Sequence, residues 1–302
     1  MKANNLACPI DGERLTLDKK QLRCVNGHSF DLARQGYVNL LPVQHKRSKH
    51  PGDSKAMVMA RQRFLDTGVY TPLADLLSDI LCKTMADLEQ PCCLDAGCGE
   101  GYYLAHALNK LRAKKAGDEL NLIGLDISKE AVLAAAKRHK EISWVVGTNR
   151  QPPVLPASVD IILCVFGFHS FQGFNKILPL GGKLLLVEPG PDHLQELRQV
   201  TYAKLNKTAP NKLDDAFSKG FKQVHEQVLR FNTPPLTSET LKDLLLMTPH
   251  FFRATQQGRE AAAQLDNVSL TVDVIFRSLE KTEDDKTNLE SPTAVVSGLP
   301  SM

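Results

Sequence analysis

Leu94-Asp-Ala-Gly-Cys-Gly-Glu-Gly-Tyr-Tyr103 follows two apolar cysteines, Cys92 and Cys93, and leads into Leu104, Ala107 and Leu108 at helical spacing. Three glycines, Gly97, Gly99 and Gly101, stand at alternate positions. The pattern predicts a buried strand, a tight turn that a ligand can approach closely, and a helix start. A dinucleotide fingerprint spaces its glycines as G-x-G-x-x-G, so that a pyrophosphate meets the helix N-terminus. Here the residue two after Gly99 is glycine and the one three after is Tyr102. Asp95, at the strand end, would also repel a pyrophosphate. A ligand with a cationic amine and no phosphate fits better, and S-adenosylmethionine is such a ligand.

Working outward, Asn121–Ile127 reads as the next strand, with Asp126 at its end, where a carboxylate can accept both hydroxyls of a ribose. Ile127 offers the adenine an apolar face. The plainer reading makes Asp95 and Asp126 caps of the helices that follow them. Two strand-end acids flanking a G-x-G-x-G favour the cofactor, and the pattern resembles motifs one and two of the class I methyltransferases.

The chain of 302 residues has room for one large domain with an appendage, and a hydrophobic fraction of 42% supports a sizeable core. No apolar run approaches membrane-spanning length, and Met1–Ile10 lacks the apolar centre of a signal peptide. The seven cysteines lie mostly in apolar strands (Cys92, Cys93, Cys164) rather than in a disulfide framework, which points to the cytoplasm. A net charge of +3 does not by itself argue for nucleic acid.

Residues 1–42 have few large apolar side chains and need a staple. Cys8, Asp11, Cys24 and His28 offer one: the spacing is that of C-x-x-C…C-x-x-x-H with Asp11 in place of the second thiol, and all three ligand types bind zinc. The other reading is a small β-ribbon in which Cys8 and Cys24 are buried thiols. An extended piece, Gly36–Gln44, leads to the basic run His45-Lys-Arg-Ser-Lys-His50, with Lys55, Arg61 and Arg63 close behind. A solvated loop is the default for such charges, but this one lies where a polyanion can bridge the ribbon and the following domain. Ser54–Asp66 reads as a helix capped by Asp53 or Ser54, and a second helix starts at Tyr70-Thr-Pro-Leu.

Several of these residues together resemble the bacterial 23S ribosomal RNA guanine-N1 methyltransferases: Gly36–Gln44, His45–Ser48, Pro51–Ser54, Ala60-Arg61, Phe64-Leu65 and Tyr70-x-Pro-Leu. The likeness continues through the glycine turn, Pro189-Gly-Pro-Asp-His193-Leu, Glu196-Leu197 and Met247-Thr-Pro249, and covers roughly residues 6–278. It implies an N-terminal zinc ribbon held by Cys8, Cys24 and His28, with Asp11 departing from the family's cysteine. It places Tyr70 and His193 near the cofactor, with Gly101 and Tyr102 reaching it through the turn, and it suggests a homodimer.

Beyond the second strand, Ser128–Lys140 reads as a crossover helix, and Ser143–Thr148, Val159–Gly167 and Gly182–Pro189 as further parallel strands. The resemblance to the methyltransferases implies that Asn149, at the end of the Ser143–Thr148 strand, holds the adenine amino group through its carbonyl oxygen. Phe166 and Phe168 are placed either to stack on a flipped base or to join the core. Guanine N1 carries a proton that must leave as the methyl arrives, and Glu188, His169, His193 and Asp53 are the candidate acceptors. Residues 195–265 read as helices around a strand-like piece, Val228–Thr233, and Asn267–Leu279 as a closing edge strand. The expected architecture is α/β: a Rossmann-like, class I methyltransferase sheet of seven strands with a small N-terminal zinc-ribbon-like β domain. The divisions are residues 1–42 (RNA-recognising ribbon), 43–90 (basic linker and helices), 91–280 (S-adenosylmethionine-dependent methyltransferase domain) and 281–302 (disordered tail).

The expected activity is methylation of guanine N1 in 23S rRNA, with S-adenosylmethionine as donor, zinc in the ribbon and no membrane partner. One alternative keeps the donor but gives it a small-molecule acceptor such as a quinone precursor, which leaves the basic run and the ribbon without a purpose. Another is a non-catalytic RNA-binding module, against which the intact Asp95, Gly97, Gly99, Gly101 and Asp126 argue.

Overall fold

The structure, a computed structural model, describes residues 1–45, 51–114, 120–201, 212–248 and 254–283. Residues 46–50 of the basic run, Pro249, and residues 284–302 of the expected tail lie outside them.

Three short strands, β1 (Thr16–Asp18), β2 (Gln21–Arg23) and β3 (Ser29–Asp31), form an antiparallel ribbon. Its few apolar residues cannot close a core alone, and they do not have to. Leu6, Leu15 and Leu22 are fully buried and pack in one cluster with Leu94, Ile123, Val145 and Ile162 of the large sheet. Leu6 bridges to Val154, and Ala7 N donates to the Pro153 carbonyl. The ribbon is thus held by the body of the protein as well as by its own ligand cluster.

The next strand, β4 (Tyr37–Asn39), belongs to the large sheet. Helices α1 (Lys55–Asp66) and α2 (Thr71–Thr84) follow; Ser54 caps α1 by accepting from Met57 N, and a proline near its N-terminus suits the start of α2. Then come β5 (Cys92–Ala96), α3 (Tyr102–Lys114), β6 (Asn121–Asp126), α4 (Lys129–Arg138), β7 (Ser143–Val146), β8 (Ile161–Val165), α5 (Phe171–Ile177) and β9 (Lys183–Pro189). Strands β5 to β9 are nearly all buried and pair in parallel, as apolar runs covered on both faces should. The chain closes with α6 (Gln195–Thr201), α7 (Asp214–Ser218), β10 (Phe221–Asn232), α8 (Ser238–Met247), α9 (Gln256–Ala263) and β11 (Thr271–Lys281).

The large sheet has eight strands in the order β10-β11-β9-β8-β5-β6-β7-β4, seven as expected and β4 besides. The added strand is the apolar Gly36–Gln44 stretch, which pairs in parallel with β7 (Tyr37 opposite Trp144) and so covers what would otherwise be an open edge. The C-terminal end also differs from expectation. β11 is not the edge: it lies between β9 and β10, antiparallel to both, and its first seven residues are buried. The edge strand is β10, twelve residues long rather than the short piece Val228–Thr233. Its sequence is polar because it is mostly exposed, and the alternation that marks a half-buried strand is missing there.

Trp144 on β7 is fully buried, with its indole N–H donated to the His139 carbonyl at 2.7 Å. A Cβ at Gly101 would lie 2.5 Å from its ring, and one at Gly124 nearer still. The start of α3 can therefore press against this ring only with glycine at 101.

Candidate active site

Parallel strands end together, and the carboxyl ends of β5, β6, β8 and β9 open on a cavity of about 900 Å³. That lies near the top of the range for small-molecule sites, ~300–1,000 Å³, roomy enough for a cofactor and part of an acceptor. The turn after β5 forms its floor. Gly97 and Gly99 both have positive φ (92° and 55°), a region costly for residues with a Cβ. The N–H groups of Gly97 and Cys98 both bond to the Leu125 carbonyl, at 2.7 and 3.0 Å, which ties the turn to β6.

Asp126 is fixed from two sides: Gly99 N donates to its Oδ2 at 2.9 Å and Ser128 N to its Oδ1 at 2.8 Å. Ser128, not Asp126, caps α4, by accepting from Ala131 N. Asp95 is 2% exposed, and its Oδ1 has no hydrogen-bond partner. Burial and the nearby Asp126 push its carboxyl up to about 7. Asp126 is raised too, by burial first, against the lowering effect of its two backbone donors.

Tyr70, Tyr102, Asn149, His193, Glu188, His169 and Asp53 all line the same cavity with Asp95, Gly97, Gly99 and Asp126. Gly101 does not, for its Cα faces Trp144. Tyr70 is buried edge-on against Phe64 at 5.0 Å, and burial raises its hydroxyl pKa. Asn149 donates from Nδ2 to the Phe168 carbonyl at 2.7 Å, which turns its own oxygen away from that contact. His193 accepts at Nδ1 from Asp273 N at 3.3 Å, so the neutral ring carries its proton on Nε2. Its ring stacks on Phe166 at 5.7 Å, and Phe166 sits at φ 51°, a strained position for an aromatic residue. Phe166 and Phe168 are 40% and 58% exposed, so the core reading fails for both. Arg150 lies over the Phe168 ring at 5.1 Å.

In the ribbon, the ligand atoms of Cys8, Asp11, Cys24 and His28 lie within 4.8 Å of one another. His28 Nδ1 is 3.5 Å from Cys8 Sγ, 3.4 Å from Cys24 Sγ and 2.9 Å from Asp11 Oδ2, and Cys24 Sγ is 3.5 Å from the same carboxylate oxygen.

Comparison with known proteins identifies the family. The family model described as "RlmA, N-terminal", a zinc ribbon, matches residues 6–49, and the one described as "Methyltransferase domain" matches residues 93–178. A 23S rRNA (guanine(748)-N(1))-methyltransferase of Streptomyces fradiae is 33% identical over 81% of this chain and 84% of its own. The chain belongs to the 23S rRNA (guanine-N1)-methyltransferase family. A candidate 23S rRNA (guanine-N(1)-)-methyltransferase, YxjB of Bacillus subtilis, is 29% identical over 88% of this chain and 94% of its own. Among solved structures, the YcgJ protein of Bacillus subtilis aligns with a TM-score of 0.46 and 17% identity, over 69% of this chain and 99% of that one.

Membership of the guanine-N1 methyltransferase family implies a sulfonium donor, and the cavity fits one. Its buried wall holds an acid with an orphaned oxygen, suited to an ammonium, beside a carboxylate already oriented by two backbone donors. The ribbon fits zinc equally well. Ligands about 2.0–2.3 Å from a tetrahedral centre stand about 3.3–3.8 Å apart, which the His28–thiol separations of 3.4 and 3.5 Å match, with His28 and Asp11 closer at 2.9 Å, and two thiolates, an imidazole and a carboxylate are all zinc ligands.

In the sequence Arg61 stands close behind the basic run, among charges that a polyanion could meet. Instead its guanidinium enters the cavity wall, 2.5 Å from Asp53 and donating to the Met247 carbonyl at 3.2 Å. Arg63 is likewise committed, to Asp243 through two bonds. Asp273 holds the Pro189–His193 loop by accepting from Asp192 N at 3.0 Å, and a lone acid in an apolar strand carries no local signal of this in the sequence.

Proposed function

We propose that this chain transfers a methyl group from S-adenosylmethionine to N1 of a guanine in 23S rRNA. The observation that carries the reading is the pair Asp95 and Asp126, at the ends of adjacent strands across the glycine turn, one with an oxygen awaiting a donor. Family membership supplies the acceptor.

When bound, the donor supplies an electrophilic methyl group. The protein's part is position and proton removal. Asp126 receives the ribose hydroxyls, Ile127 meets the adenine, Asn149 accepts from its amino group, and Asp95 takes the ammonium. Tyr70, Tyr102 and His193 complete the site, with His193 a donor through Nε2 rather than a base. Transfer would form the N1–C bond at the expense of the donor's C–S bond, and the N1 proton would pass to an acceptor lining the cavity. Glu188, paired with Arg277 at 2.6 Å, His169, and Asp53, whose carboxylate pairs with Arg61, are the candidates, and all three line the cavity. Phe166 and Phe168, exposed at the mouth, provide faces for a base taken out of its stack, a contact worth about 1–3 kcal/mol.

In this scheme residues 1–42 recognise RNA, with zinc on Cys8, Asp11, Cys24 and His28, and residues 91–280 perform the transfer. Cytoplasmic residence and a homodimer complete the reading; the absence of any disulfide among the seven cysteines supports the first. The test is to incubate the protein with unmodified 23S rRNA and labelled donor and map the product by mass spectrometry. N1-methylguanosine at a defined position is expected. Label confined to small molecules, or no transfer, overturns the proposal.

A further inference from the structure

The methyltransferase family model begins at residue 93, yet one wall of the cavity is built from residues 52–61. Gly52 lies directly on the residues that follow β6. With φ 81°, it could carry a Cβ only at 2.8 Å from Ser128 Cβ and 2.9 Å from both Ile127 Cγ2 and Ser128 N. The next residue is tied down as well, for Ser128 Oγ donates to the Asp53 carbonyl at 2.7 Å. From α1, Arg61 reaches the same point: Nη1 is 2.5 Å from Asp53 Oδ2, and Nη2 donates to Met247 at the end of α8. A Cβ at Gly99 would lie 3.3 Å from that Nη1, so the guanidinium rests on the glycine turn itself. Both members of the pair are about one quarter exposed, which shields their attraction from water better than on an open surface.

We infer that Arg61 is a positioning residue that latches the Gly52–Asp53 strap over the adenosine half of the donor site. The guanidinium joins three separate parts of the chain, the strap, the glycine turn and α8, around Ile127 and Asp126. Donor held beneath the strap leaves only when Asp53 lifts away from Ser128. This explains the glycine at 52, where any side chain would wedge the strap open, and the arginine at 61, which alone spans Asp53, Gly99 and Met247. A lysine there keeps the charge but not the fork.

The inference rests on S-adenosylmethionine being the donor, and the experiment separates the two claims. Binding of S-adenosylmethionine and S-adenosylhomocysteine to the full chain is measured without rRNA, by calorimetry for Kd and by competition for dissociation rate, in wild type, R61Q, R61K, D53N, R61Q/D53N and G52A. Wild type that binds neither ligand refutes the donor assignment itself. With wild-type binding in place, R61Q and G52A are expected to weaken both ligands about tenfold through faster dissociation, with R61K recovering part of the loss. The double variant should be little worse than either single one, because the two residues act as one pair. A purely structural arginine would lower the melting temperature and leave the dissociation rate alone. Wild-type Kd and dissociation rate in R61Q and G52A overturn the latch. R61K and G52A decide the matter where R61Q fails to fold.

Discussion

Gly99 donates its backbone N–H to Oδ2 of Asp126 at 2.9 Å, so the glycine turn after one strand holds the acid at the end of the next. With Ser128 N on the other oxygen, the carboxylate is oriented before any ligand arrives, and each oxygen keeps a lone pair for a ribose hydroxyl. Asp126→Ala removes the ribose acceptor and also leaves two backbone donors without a partner. Donor affinity is expected to fall by about a hundredfold or more, the loss of roughly two charge-assisted hydrogen bonds. Calorimetry with S-adenosylhomocysteine checks this, and unchanged affinity would refute the ribose contact.

Asp95 gives the donor site a pH dependence. Its carboxyl lies at about 7, raised by burial and by Asp126, so at pH 6 it is mostly neutral and at pH 7.5 mostly ionised. Only the ionised form attracts an ammonium. Donor Kd is therefore expected to tighten about eightfold from pH 6 to pH 7.5, with a proton released on binding at the lower pH. Calorimetry in buffers of different ionisation heat counts that proton, and Asp95→Asn should bind weakly with a flat profile. Stability of the ligand-free protein runs the other way. The native state holds this proton above the pH at which an unfolded aspartate loses it, so stability falls as pH rises from about 4 to 7.

In the proposed zinc site Asp11 supplies a carboxylate beside two thiolates and an imidazole, and its oxygen lies 2.9 Å from His28 Nδ1. Asp11→Cys adds a third soft ligand and should retain zinc against a chelator better than wild type; Asp11→Ala leaves three ligands and should lose affinity at least about tenfold. Metal content after dialysis, with thermal melts in the presence of chelator, reads both effects. Because Leu6, Leu15 and Leu22 are buried against the large sheet, stripping the metal should loosen the ribbon without unfolding the methyltransferase body.

What was legible in the sequence followed local rules. Strands β5 to β9 announce themselves as apolar runs, and Ser54 and Ser128 mark their helices because caps act within three residues. What was not legible depends on partners far along the chain. β4 reads only as part of an extended apolar piece until β7 is beside it, and β10 is polar because both its faces are mostly open. Arg61 looks like one more cation in a basic cluster, and its contacts with Gly99 and Met247 lie 38 and 186 residues away. Gly101 reads in the sequence as one more glycine of the cofactor turn, and its packing against Trp144, 43 residues on, carries no local signal.

The same long-range pairing revises the expected electrostatics of RNA binding. The sequence offers Lys46, Arg47, Lys49, Lys55, Arg61 and Arg63 near the ribbon, enough for about five phosphate contacts and a log–log salt slope near −4 to −5. Arg61 and Arg63 are engaged with Asp53 and Asp243 in the folded protein, and a cation already paired releases little counterion. Lys46, Arg47 and Lys49 lie outside the described residues; contact of these three and Lys55 with phosphate would give a slope of about −3 to −4. Reversing the charge of Lys46 and Arg47 should flatten the slope by nearly two and weaken rRNA binding, with donor Kd unchanged. Filter binding to 23S rRNA fragments across a salt series measures it. A slope unaltered by the reversals would move the RNA contact away from this segment and onto the ribbon's own lysines and arginines.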